Sequence, residues 1–133
     1  MTNQNITEFS MRTPIIAVDF DGTLVTDEYP KIGRELSSFC NFIKMLQSLG
    51  VKTILWTSRT GKELDEAVDW CKKHGFTFDA INENIPEIKE AFGEDTRKVF
   101  ANAYFDDRNR QIVEEESDIY YESLKSLLKW LGK

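Results

Sequence analysis

Two aspartates one residue apart, Asp19 and Asp21, stand at the mouth of an apolar run in IIAVDFDGTLV, residues 15–25. A lone carboxylate before Gly22 would be an ordinary turn residue. Two that converge repel each other unless a positive charge lies between them. Two further apolar runs end in polar groups. Residues 51–56 lead into Thr57-Ser58-Arg59, and residues 99–105 lead into Asp106-Asp107, with Lys98 just before. Oxygen ligands with neither cysteine nor clustered histidine beside them favour a hard cation, Mg2+. With that charge in place, one carboxylate can attack phosphorus. A second, two residues on, can give a proton to the leaving oxygen and later take one from water. A hydroxyl and a lysine opposite would bind the phosphoryl oxygens. The turn after Asp19 would supply backbone N–H groups, with Gly22 permitting their close approach.

The elements that must present these groups follow from hydrophobic period. Residues 14–20 form a near-continuous apolar run, as in a strand buried on both faces. From Gly33 the period changes: Leu36, Phe39, Cys40, Ile43, Leu46 and Leu49 mark one helical face, stopped by Gly50. After the second strand, Thr60-x-x-Glu63 reads as a capping box opening a helix that buries Leu64, Ala67, Val68 and Cys71. Lys72, Lys73 and His74 suit the negative end of that helix, so His74 is read as a helix-end residue. A short strand over 76–81, a polar loop Asn82-Glu83-Asn84, a helix over 86–92 and a strand over 99–105 follow. A last helix over 118–131 would bury Ile119, Leu124, Leu127, Leu128 and Leu131. Strict alternation of strand and helix predicts an α/β fold, a three-layer, doubly wound, Rossmann-like parallel sheet. In such a sheet, ligands bind at the carboxyl ends of the strands, where the polar groups above would gather.

The chain has 133 residues, read as a tail over 1–13 and one domain over 14–133. Its net charge of −6 supplies no general attraction to nucleic acid or anionic membrane. The run Glu114-Glu115-Glu116 reads as a solvated connection. Cys40 and Cys71 lie on helix core faces and read as free thiols. No apolar signal core or membrane-length stretch occurs, so a cytoplasmic location is expected and Asn5-Ile6-Thr7 reads as a chance sequon.

Asp19-Phe20-Asp21-Gly22-Thr23 resembles the DxDx[T/S] signature of the haloacid dehalogenase superfamily. Thr57 matches its second motif, Lys98 its third and Asp106-Asp107 its fourth, over residues 14–113. The resemblance implies Asp19 as nucleophile and Asp21 as general acid/base. It implies Mg2+ held by the Asp19 carboxylate, the Asp21 main-chain oxygen and Asp106, alone or with Asp107. It also implies a phosphate-holding pair, Thr57 with Lys98 or Lys89, with Gly22, Thr23, Ser58 and Arg59 grouped on the phosphate side. The dehalogenase and phosphonatase branches of the superfamily lack the second acid, so the resemblance with Asp21 present implies phosphate-ester hydrolysis or phosphoryl transfer. The WTSR and DDRN segments are similar to those of deoxyribonucleotidases and polynucleotide phosphatases.

The gaps between these motifs leave no room for a cap domain, so an open site is expected, screened by a flap over 25–31. Such a site suits a large substrate or lids from a neighbouring subunit in a homo-oligomer. A small phosphoester, a nucleotide or sugar phosphate, is the expected substrate class. Long nucleic acid is disfavoured by charge, with a 3′-phosphorylated end left open. Tyr29, Lys31, Arg59, Asn82, Glu83, Asn84 and Arg108 are placed to choose among substrates. Two other readings use the same residue types. A phospho-accepting receiver domain would carry its acidic pair on the first strand and its acceptor Asp near Thr57. An idle family member would serve as a binding module.

Overall fold

The computed structural model describes Phe9, residues 12–109, and the backbone of 113–114 and 117–118. Four parallel strands, β1 (Ile15–Val18), β2 (Lys52–Leu55), β3 (Ala80–Ile81) and β4 (Ala103–Phe105), form a sheet in the order β3-β2-β1-β4. Three helices connect them: α1 (Ser37–Ser48), α2 (Gly61–Lys73) and α3 (Pro86–Phe92). The central strand β1 is enclosed throughout. Its alternate side chains serve two cores, because successive residues of a strand face opposite ways. Ile16 and Val18 pack with Cys40, Ile43 and Leu46 of α1 and with Ala67 and Cys71 of α2. Ile15 and Ala17 pack with Ile54, Ile85, Val99 and Ile88 of α3. This is the expected Rossmann-like α/β sheet, covered on both faces, and no cap domain is inserted between its strands.

Several boundaries differ from those the sequence suggests, each for a local reason. Leu49 lies past the last turn of α1 and is exposed, because Gly50, at φ 93°, reverses the chain there. The capping box of α2 does not form: Thr60 makes no side-chain cap bond, and its exposure leaves the first turn open to solvent. Only Ala80–Ile81 of the expected third strand pairs, since Phe76 and Phe78 stack on one another and pack in the α1–α2 core. The fourth strand is also short. Phe100 N–H donates to Asn84 Oδ1, and the Asn102 side chain accepts from Ile15 N. Both bonds divert groups from the ladder.

Cys40 and Cys71 are buried free thiols, and burial pushes them up to about 11 and about 12. His74 caps α2, its Nδ1 2.8 Å from the Trp70 carbonyl and its ring stacked on Trp70. Phe9, in the expected tail, packs against the Ile15 core and accepts a bond from Thr13 N. Two further short strands, β5 (Val113–Glu114) and β6 (Ser117–Asp118), pair antiparallel, so Asp118 belongs to a strand rather than to the expected last helix. The rest of that helix, with Ile119, Leu124, Leu127, Leu128 and Leu131, lies outside the described residues. Among the described residues no helix is long and apolar enough to cross a membrane.

Candidate active site

The ladder between β1 and β4 continues one step past the strands: Asp19 N–H donates to the Phe105 carbonyl at 2.9 Å. That bond sets Asp19 beside the residue that follows Phe105, which is Asp106. Ligand oxygens of Asp19, Asp106 and Asp107 all lie within 4.8 Å of one another, a cluster that could hold a metal ion. The Thr23 hydroxyl ties the two halves together. It donates to Asp19 Oδ2 at 3.3 Å and accepts from Asp107 N–H at 3.2 Å.

Gly22 plays a different part from the one its sequence context suggests. Its N–H donates to the Val25 carbonyl rather than standing open to a ligand. A Cβ added there would lie 2.2 Å from Asp107 Oδ2, so the missing side chain admits Asp107 to the cluster.

Burial pushes the Asp19 carboxyl up to about 7, and the charges of Asp106 and Asp107 add to the shift. The Phe20 N–H and the Thr23 hydroxyl pull the other way without offsetting it. Three mutually repelling carboxylates of this kind fit a hard cation. The linkage has a definite sign. The folded chain holds the Asp19 proton more tightly than the unfolded chain does. Without a cation, stability therefore falls as pH rises from about 4 to about 7. A divalent cation needs the ionised carboxylate, so its stabilisation grows over the same window. Thermal unfolding at about pH 5 and about pH 8, with and without Mg2+, is expected to show a cation-dependent rise of about 5 °C or more only at the higher pH.

The Asp21 carboxylate is not part of this cluster. Arg59 grips it with Nε to Oδ2 at 2.8 Å and Nη2 to Oδ1 at 2.7 Å. The guanidinium is 1% exposed. It also donates to the carbonyls of Pro30 (3.1 Å), Lys31 (2.8 Å) and Glu63 (3.3 Å), and it lies against the Phe20 and Tyr29 rings. All five of its N–H groups are taken, leaving none for a phosphoryl oxygen. The hydrogen bonds and charge of Asp21 hold the Arg59 proton more firmly still. Sequence grouped Arg59 with the phosphate-holding residues; the fold turns it inward.

Thr57, two residues past β2, is braced by Asn82, whose Oδ1 accepts from Thr57 N at 2.8 Å. Asn82 can do so because it adopts φ 55°, a conformation that asparagine tolerates. Thr57 Oγ1 accepts from Arg59 N, which leaves its own hydroxyl hydrogen to donate elsewhere. Ser58, Tyr29, Lys31 and Arg108 are exposed. Asn84 is fully buried and joins Asp95, Thr96 and Phe100, so it cannot meet a substrate. Lys98 sets its ammonium 5.7 Å from the Tyr104 ring, and Lys89 pairs with Glu83. Among the described residues neither lysine bonds to Asp19, Asp106 or Asp107. A groove of about 380 Å³ at the other end of the strands, lined by Lys44, Gln47, Lys52 and Asp79, contains none of these groups.

Two of these pairings escape sequence reading. The Asp21–Arg59 fork spans 38 positions and depends on strand register, and only an arginine two residues after a strand-end threonine hints at it. The Asn82 brace has one signal, an asparagine just past a strand.

No protein-family model matches the sequence, and no curated protein does. A conserved protein of solved structure from Bacteroides thetaiotaomicron is 40% identical. Its superposition has a TM-score of 0.68 and covers 86% of this chain and 92% of that one. At that identity and coverage, the chain belongs to the family of this conserved Bacteroides thetaiotaomicron protein.

Proposed function

We propose that this protein is a Mg2+-dependent phosphomonoester hydrolase of haloacid dehalogenase type, acting through a phosphorylated Asp19. One observation carries the reading: Asp19, Asp106 and Asp107 converge at the carboxyl ends of β1 and β4 while the Asp21 carboxylate stays outside the cluster. The division gives the two aspartates separate tasks. The donor set is all oxygen, which suits Mg2+, and the Asp21 main-chain oxygen accepts no hydrogen bond among the described residues. Bound there, the cation would offset two of the three carboxylate charges and give a phosphate dianion a positive centre to approach.

Asp19 then attacks phosphorus, forming a carboxylate–phosphorus bond as the ester bond breaks. Asp21 gives its proton to the departing oxygen. In the second half Asp21 takes a proton from water, the water oxygen attacks phosphorus, and Asp19 is released with inorganic phosphate. The free hydroxyl hydrogen of Thr57, with Lys98 or Lys89, would hold the phosphoryl oxygens. The acidic balance disfavours long nucleic acid, and a small phosphoester, a nucleotide or a sugar phosphate, is the substrate class taken.

A panel of nucleotides, sugar phosphates and 3′-phosphorylated oligonucleotides is expected to release phosphate with Mg2+ and not in excess chelator. Undiminished turnover in chelator would overturn the reading. So would a stable acyl-phosphate with no turnover, which would favour a phospho-accepting signalling domain.

A further inference from the structure

We propose that Arg59 is the positioning residue of the site, joining the Asp21 carboxylate and the flap over 26–34 into one mechanical unit. The flap is closed at its neck: Thr26 N donates to Arg34 O and Arg34 N to Thr26 Oγ1, both at 2.8 Å. Beyond the neck, Ile32 packs on the core, but residues 27–31 are exposed. Among the described residues, the hydrogen bonds that fasten this tip to the body both come from Arg59, to Pro30 O and Lys31 O. Tyr29, 58% exposed, lays its ring over the same guanidinium. The adjacent edge of the guanidinium, Nε with the same Nη2 that holds Lys31 O, grips Asp21. A planar, rigid fork cannot follow the flap without carrying the carboxylate with it.

Each carboxylate oxygen keeps a second lone pair when Arg59 occupies the first. The fork therefore fixes the directions in which the remaining lone pairs point. A seated flap presents Asp21 to the leaving oxygen, and a displaced flap turns it away. The flap coupling stands on geometry alone; the consequence for catalysis rests on the phosphatase reading above.

Arg59→Lys keeps the charge and loses the fork, and Asp21→Asn keeps the shape and loses the charge. Two readouts separate the ideas. In the first, p-nitrophenyl phosphate, whose leaving group departs as a stable anion, is compared with a simple alkyl phosphate, which needs a proton. Arg59→Lys is expected to lower kcat on the alkyl ester by about 10²-fold and on the aryl ester only a few-fold. In the second, hydrogen exchange at the amides of 27–29 and 31 is expected to speed up in Arg59→Lys and, by reciprocity, in Asp21→Asn. Equal losses on the two esters, or flap exchange unmoved in Asp21→Asn, would overturn the proposal. Should Arg59→Lys fail to fold, the exchange of Asp21→Asn decides alone. Wild-type protein inert toward both esters would instead refute the phosphatase reading, and the exchange readout would still decide the coupling.

Discussion

Asp19→Asn is expected to abolish turnover and, in the absence of a cation, to leave the fold at least as stable as the wild type above about pH 7. The amide matches the carboxylate in shape, so β1 and its bond to the Phe105 carbonyl persist. It cannot form the acyl-phosphate, and activity should fall by about 10⁴-fold or more. Stability moves the other way because one of three mutually repelling charges, itself partly buried, is gone. Asp19 is still partly exposed, so solvent screening limits the gain to about 1 kcal/mol. Added Mg2+ should no longer raise the unfolding temperature. A variant that loses both activity and stability would point to misfolding and would count against this assignment of charge.

The second large effect is expected at Gly22. Alanine there meets two separate penalties, a backbone at φ 82° and a Cβ 2.2 Å from Asp107 Oδ2 and 2.6 Å from its Cγ. The backbone term costs about 1–2 kcal/mol, and moving Asp107 adds to it. Gly61 supplies the control: its φ is 54° but a Cβ would meet nothing within 4 Å. Gly61→Ala should therefore show the backbone cost alone in urea unfolding. Gly22→Ala should exceed it by about 1 kcal/mol and weaken Mg2+ binding about 10-fold or more, because Asp107 is pushed out of the cluster. Equal effects at the two glycines would mean that Asp107 yields freely.

Sequence carried the architecture because period and burial are local signals. The all-buried β1, the Cys40–Ile43–Leu46 face of α1 and the Pro86 start of α3 each declare themselves within one turn or one strand. The convergence of Asp19 with Asp106 was legible too, since parallel strands deliver their ends to the same edge. What stayed hidden depended on partners far along the chain. Beyond its place after Thr57, nothing near Arg59 says that it will turn inward to Asp21, and nothing near Asn84 says that it will knit Asp95 to Phe100. Strand length was overread for a related reason. A polar side chain such as Asn102 can take a ladder donor for itself, and aromatic residues such as Phe76 can leave the strand to stack.

The Thr23 hydroxyl joins two motifs that lie 84 positions apart in the bond to Asp107. In folding terms, the acidic cluster is among the contacts of greatest sequence separation, and such contacts form late because a long loop must close first. A chain emerging from the ribosome can complete β1, β2 and their helices before Asp106 and Asp107 are in place. Under the proposed function, cation binding would report the closing of β4 onto β1. A partly folded chain, whose β1 edge is still bare, would hold only half of the acidic cluster.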